Sequence, residues 1–231
     1  TFIHPYDDPD VIAGQGTIGM EIDQQPASAN VTLDAVSAVY GVVPKVHWTA
    51  CATKDPAAGS PGWLGEPVTL AVEADQNLTK ACIAVAGSLP DGIGAAIVAT
   101  GPGTGWVFDT IAAMWETGEV AQVVIDSRSP AAALTDPLEQ AGVTVVSPKT
   151  NDVTKATSTL RTLFADGGIE VRPSPELDRA AAVATLRKAG ESQAIDRWGD
   201  QDAVPLIGVN LAVWGHQNPG EPEPYALAVY A

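Results

Sequence analysis

The sequence predicts an α/β fold: a mixed sheet of three antiparallel strands followed by two parallel ones, flanked by helices. Three observations predict it. Short apolar, β-branched runs recur from residue 68 onward, and the first three of them are joined by brief turns. Later runs alternate with segments of helical periodicity, which is the pattern of βαβ units.

The run VTLAVEAD (68–75) reads as the first strand, KACIAVAG (80–87) as the second and GAAIVATG (94–101) as the third. The turn signals DQNLT and SLPDGI between them leave no room for a crossover, so these strands form an antiparallel meander. Next, TGWVFDTIAAMWETG (104–118) places Val107, Ile111, Met114 and Trp115 on one helical face, with Thr104 as its expected N-cap. It leads into a fourth strand, VAQVVID (120–126). A helix over SPAAALTDPLEQAG (129–142), a strand over VTVVSP (143–148) and a helix over DVTKATSTLRTLFADGG (152–168) continue the alternation in parallel. After GIEVRPS come helix-like stretches at 175–189 and, beyond a polar loop, at 203–215.

The N-terminal part does not share this pattern. PASAN at 26–30 is followed by a helical pattern, TLDAVSAVYG, that Gly41 can close. The Pro/Gly-rich stretch KDPAAGSPGWLGEP (54–67) reads as a linker. Three parts are therefore expected: an N-terminal segment and linker (1–62), the α/β domain (63–216) and a Pro-rich, extended tail (217–231). No internal repeat is visible.

With 231 residues, 45% of them hydrophobic, the chain can bury one sizeable core. No apolar run approaches the roughly 20 residues that span a bilayer, and TFIHPYDDPD lacks both the basic and the greasy region of a signal peptide. A soluble, cytoplasmic protein with no membrane contact is expected. The chain opens on Thr, as a processed product or a fragment would. Cys51 and Cys82 have no CxxC or His partner nearby, so they read as small buried thiols. The net charge of −16 favours solubility and opposes long-range attraction to nucleic acid.

This order of strands is that of ribonuclease H-like nucleases and integrases, whose carboxylates come from the first strand, the fourth strand and a late helix. Acids stand at the matching places. Glu73 and Asp75 end the first strand on a shared face, Asp126 ends the fourth, and Asp202 precedes the last helix with Val204, Ile207, Leu211 and Trp214 behind it. A strand-end acid or a helix cap would explain Asp126 and Asp202 without chemistry. Glu73 is harder to explain that way, because it interrupts an apolar strand. Gathered together, such carboxylates are the hard oxygen donors that Mg²⁺ or Mn²⁺ prefer.

The succession LAVEAD, ACIAVAG, GPGTGWVFDTIA, VVIDSRSPAAAL, LEQAGVTVV and RWGDQDAVPLIGVNLAVWG resembles the C-terminal nuclease domain of the large terminase subunit of actinobacterial tailed phages. The resemblance covers about residues 63–216, with PGTGWV and VVID…PAA…LEQAGV as its most specific part. It implies a ribonuclease H-like fold and metal-dependent cutting of concatemeric double-stranded DNA during packaging, inside the host cell cytoplasm. It also implies Mg²⁺ or Mn²⁺ as cofactor, double-stranded DNA as substrate, and the portal and small terminase subunit as protein partners. By position, the family's carboxylates fall on Glu73, Asp126 and Asp202, with Asp75 as a further ligand or a supporting acid.

The departures from the family are specific. Glu73 is one methylene longer than the family's Asp. Basic residues near the third carboxylate reduce to Arg197 in DRWGDQD, and no GxxxxGK[ST] phosphate loop occurs. These departures, with the acidic charge, leave a second reading open: a degenerate domain that keeps the fold for docking. Residues 2–22, FIHPYDDPDVIAGQGTIGMEI, separately resemble a segment of threonine dehydratases, but no Schiff-base lysine segment accompanies it, so a pyridoxal-phosphate remnant is the weakest reading.

Other motifs read as structural. His4, His47 and His216 are far apart and lie in loop-like contexts. Gly101 and Gly103 before Thr104 read as a tight strand-to-helix turn rather than an anion cradle. Trp106, Trp115 and Trp214 read as core aromatics rather than base-stacking platforms.

Overall fold

The computed structural model describes residues 41–55, 57–59, 62–199 and 202–220. The dehydratase-like segment 2–22, the helical pattern before Gly41 and the tail beyond 220 lie outside the described residues.

The expected meander is present as β1 (Gly65–Ala74), β2 (Lys80–Leu89) and β3 (Gly92–Pro102). Strands β4 (Val120–Val124) and β5 (Val145–Val146) then add in parallel on the β1 side. A further strand, β6 (Ile169–Val171), pairs in parallel with β3, so the sheet order is β5-β4-β1-β2-β3-β6. Three residues are too few for an alternation to show, which is why the GIEVRPS stretch gives no clear strand signal.

The strands carry apolar side chains on both faces, and each face has its own helical cover. Ile111 of α2 (Val107–Trp115) and Leu138 of α3 (Thr135–Gln140) pack against Leu70, Val72 and Ile83 on one side. On the other side, Ala71, Ala84 and Val124 pack with α4 (Thr150–Asp166), α5 (Pro175–Val183) and α6 (Val204–Gln217). Helix α4 presents Val153, Ala156, Leu160 and Phe164 at helical spacing, and Gly167 ends it at φ 70°, a left-handed conformation that glycine adopts without strain.

Helix α6 is apolar on nearly all sides, as a helix sunk in the core must be. It lies close to the sheet because two of its positions lack a side chain. A Cβ on Gly215 would stand 2.4 Å from Val124 Cγ2, and one on Gly208 would stand 3.3 Å from Ala84 Cβ.

Several boundaries differ from the sequence expectation. The stretch 175–189 is not one helix: α5 stops at Val183, and Leu186–Ala189 forms β7, a hairpin partner of β8 (Ser192–Ile195). The Ala-rich run hides the change of period, while Gly190 at φ 66° makes the turn. The expected N-cap Thr104 is displaced by Trp106, and the 129–142 helix divides into a 3₁₀ turn (Pro130–Leu134) and α3. His47 and His216 sit on helices, α1 (Lys45–Cys51) and α6, rather than in loops. Finally, Val42, Val43 and Cys51 belong to the core with Phe164 and Val171, so residues 42–51 pack with the sheet, whereas the expected boundary at 62 sets them apart from it.

Candidate functional site

The register of the sheet brings two acids together. Ala71 of β1 pairs with Val124 of β4 in parallel, so Glu73 and Asp126, each two residues further on, leave the same face at the same edge. That face is the α6 side, where Ala71 and Val124 are core residues. Both carboxylates are fully buried.

Two buried carboxylates side by side need a positive partner. Arg197, just beyond β8, supplies it. Its Nη2 donates to Glu73 Oε2 at 2.7 Å and its Nη1 to Asp126 Oδ2 at 3.0 Å, and only 5% of its side chain is exposed. The remaining oxygens are also engaged. Glu73 Oε1 accepts from the Ser129 hydroxyl at 2.5 Å and from the Ala74 N–H, while Asp126 Oδ1 accepts from the Arg128 N–H at 3.0 Å. Ser129 is fixed because it also caps the 3₁₀ turn, accepting from the Ala131 N–H.

The two acids differ in proton affinity. Burial pushes the Glu73 pKa up, and Arg197 and Ser129 only partly oppose it. Burial would raise Asp126 as well, but the Arg128 N–H and the Arg197 guanidinium outweigh it, so its pKa lies below the usual range. For Arg197, burial works against the charge and the two carboxylates more than restore it.

Asp202 stands apart from this pair. Its carboxylate is 40% exposed and meets Lys80 Nζ at 2.5 Å. Lys80 is two residues from Cys82, the cross-strand partner of Glu73, so the two positively charged side chains approach the acids from the same face. Asp75 is committed to the β1–β2 turn, accepting from the Thr79 hydroxyl at 2.7 Å and from the Lys80 N–H at 2.8 Å. Asp75, Lys80, Arg197, Trp198 and Asp202 line one open cavity of about 470 Å³. Arg197 both lines this cavity and contacts the two buried acids.

Donor chemistry suits a hard divalent cation, since two carboxylates converge at adjacent strand ends. The space between their outward oxygens is held by the guanidinium, however, and among the described residues no three His, Cys, Asp or Glu side chains form a metal-binding group. Of the four acids singled out in the sequence, the structure brings Glu73 and Asp126 into one centre, places Asp202 in the lining of the neighbouring cavity and uses Asp75 for a turn.

Sequence reasoning missed Ser129 and Lys80 and noted Arg197 only as a scarce basic residue. Ser129 was accessible as the Ser before Pro130, a capping signature directly after a strand-end acid. The other motifs are structural. Gly101 leaves room for the Trp106 ring, Gly103 turns at φ 65°, and the His216 ring nitrogen lies 3.1 Å from Ser88 Oγ. Trp106 and Trp115 pack against the core on one side of the sheet and Trp214 on the other, while Cys51 and Cys82 are buried. No described helix is long and apolar enough to cross a membrane.

No family model matches the chain, and no curated protein matches it. Solved structures do. The HK97 bacteriophage large terminase aligns with a TM-score of 0.59 at 13% identity, over 92% of this chain and 52% of its own. The large terminase nuclease of thermophilic phage G20c, crystallised with bound cobalt, aligns with a TM-score of 0.51 at 17% identity, over 76% of this chain and 97% of its own. At such identities the likeness shows the fold: the mixed sheet and its helices have the ribonuclease H-like arrangement of the terminase nuclease. The chain spans about half the length of the HK97 protein.

Proposed function

We propose that this chain is a terminase-type nuclease domain, a divalent-metal-dependent phosphodiester hydrolase acting on double-stranded DNA. One observation carries the reading: Glu73 and Asp126, from adjacent strand ends of this fold, are buried together beside an open, polar cavity. Fully buried acids without a role are rare, because each must be desolvated.

In this reading Glu73 and Asp126 hold Mg²⁺ or Mn²⁺, and Asp202 on the cavity rim is the third carboxylate. When bound, the metal would polarise the phosphate and supply an activated water. The chain's own side chains do the rest. Lys80 and Arg197 offset the repulsion between a phosphate and the acidic cavity. Ser129 orients Glu73, and the Arg128 N–H keeps Asp126 ionised. In a phage this activity would cut concatemeric genomes during packaging, in the host cytoplasm, with the portal and small terminase subunit as partners. The cobalt-bound neighbour makes a divalent ion the natural cofactor to test.

Nicking of supercoiled plasmid with Mn²⁺, lost in Asp126→Ala, is the expected result. Undiminished nicking by that variant would overturn the assignment.

A second reading has its own observation in favour. Arg197 bridges the carboxylate pair and Lys80 pairs with Asp202, which is also how a domain retained only for docking would be stabilised. Calorimetric titration with Mn²⁺ separates the two readings: a nuclease binds the ion, a docking module does not.

A further inference from the structure

We propose that Arg197 is a displaceable counter-ion that latches the Glu73–Asp126 pair, and that a divalent cation enters the centre only by exchanging with its guanidinium. The proposal rests on reading these carboxylates as the metal-holding pair.

The geometry assigns this role. Each carboxylate has one oxygen tied to the protein scaffold, Glu73 Oε1 by Ser129 and Ala74, and Asp126 Oδ1 by Arg128. The other two, Glu73 Oε2 and Asp126 Oδ2, are the two that Arg197 bridges. A bridging cation would need the same oxygens, so guanidinium and metal compete for one position.

Arg197 is built to leave it. It follows β8 rather than lying within a helix or strand, so few backbone bonds restrain it. Its Nε–H is buried and has no acceptor among the described residues, so the bridging pose leaves a donor unsatisfied. It also lines the cavity, where the half-exposed Asp202 carboxylate, with one oxygen on Lys80, stands as an acceptor for a guanidinium that swings outward. In the latched state the guanidinium offsets part of the pair's charge and holds both acids in place without metal, so entry of the ion replaces one cation by another instead of opening an unpaired site.

Mn²⁺ affinity by calorimetry is expected to rise about tenfold or more in Arg197→Met, because one positive charge adjacent to the ion is removed. Arg197→Lys, which keeps the charge but cannot fork onto both acids, is expected to fall between. Crystals of the unaltered chain soaked in Mn²⁺ are expected to show the ion between Glu73 and Asp126 with Arg197 turned into the cavity, a result that does not depend on any variant folding. Metal bound while Arg197 still bridges both carboxylates, or equal affinity in the chain and both variants, would overturn the latch and leave the metal site standing. No Mn²⁺ binding by any folded form would overturn the site itself.

Discussion

Arg197 Nη2 lies 2.7 Å from Glu73 Oε2, a contact between residues 124 positions apart. It is the ion pair that makes burial of Glu73 tolerable, because a desolvated carboxylate without a partner would take up a proton or unfold its surroundings.

Removing the guanidinium should therefore be costly. Arg197→Met is expected to destabilise the fold by about 3–5 kcal/mol, measured by urea denaturation, since it strands two buried acids. Adding Glu73→Gln to that variant should recover part of the loss, because the neutral amide at position 73 needs no counter-charge.

Stability should also depend on pH with opposite signs at the two acids. Burial raises Glu73, so its contribution is fully present below the unfolded glutamate pKa and is lost as pH rises through the higher folded value. Acidification from neutrality should thus favour the wild type relative to Glu73→Gln. Asp126 is lowered once the Arg128 N–H and Arg197 have outweighed burial, so its contribution is present above the unfolded aspartate pKa and lost as pH falls through the folded one. Relative to Asp126→Asn, the wild type should lose its advantage only in strong acid. Denaturation curves of the three proteins across pH test both signs.

Ser129 serves two ends at once, capping the 3₁₀ turn and donating to Glu73. Ser129→Ala is expected to cost about 1–3 kcal/mol in thermal or chemical unfolding. A loss confined to a few tenths would show that neither bond matters.

Gly215 faces the sheet where a Cβ would meet Val124 Cγ2 at 2.4 Å and Thr69 Cγ2 at 2.8 Å. Gly215→Ala is expected to destabilise by about 1–3 kcal/mol through overpacking, despite the higher helix propensity of Ala. Gly208→Ala, with contacts no closer than 3.3 Å, should be milder.

How far the sequence alone could lead is visible in these same residues. Glu73 and Asp126 stood out because each breaks an apolar strand at its end, and the meander followed by parallel strands made them neighbours. Asp75 shared the parity of Glu73, yet its short side chain at a strand end is better satisfied by the turn amides than by a metal. Arg197 was visible as a residue but not as a partner. Its position depends on the β7–β8 hairpin, and the Ala-rich stretch leading into that hairpin has helical periodicity. The pairing of Asp202 with Lys80 is likewise a tertiary event, set by the approach of α6 to β2 and by no local pattern.

The closing contacts of the carboxylate centre span 56, 71 and 124 positions, whereas β1, β2 and β3 are joined by turns of a few residues. Order of assembly follows from that contrast, because nearby segments meet sooner than distant ones. A refolding chain can zip its meander early, yet Glu73 stays without its counter-charge until the C-terminal hairpin has docked. Electrostatic quenching at the ends of β1 and β4 thus waits on the β7–β8 hairpin, and a chain truncated before Arg197 would carry two acids on neighbouring strands that repel one another.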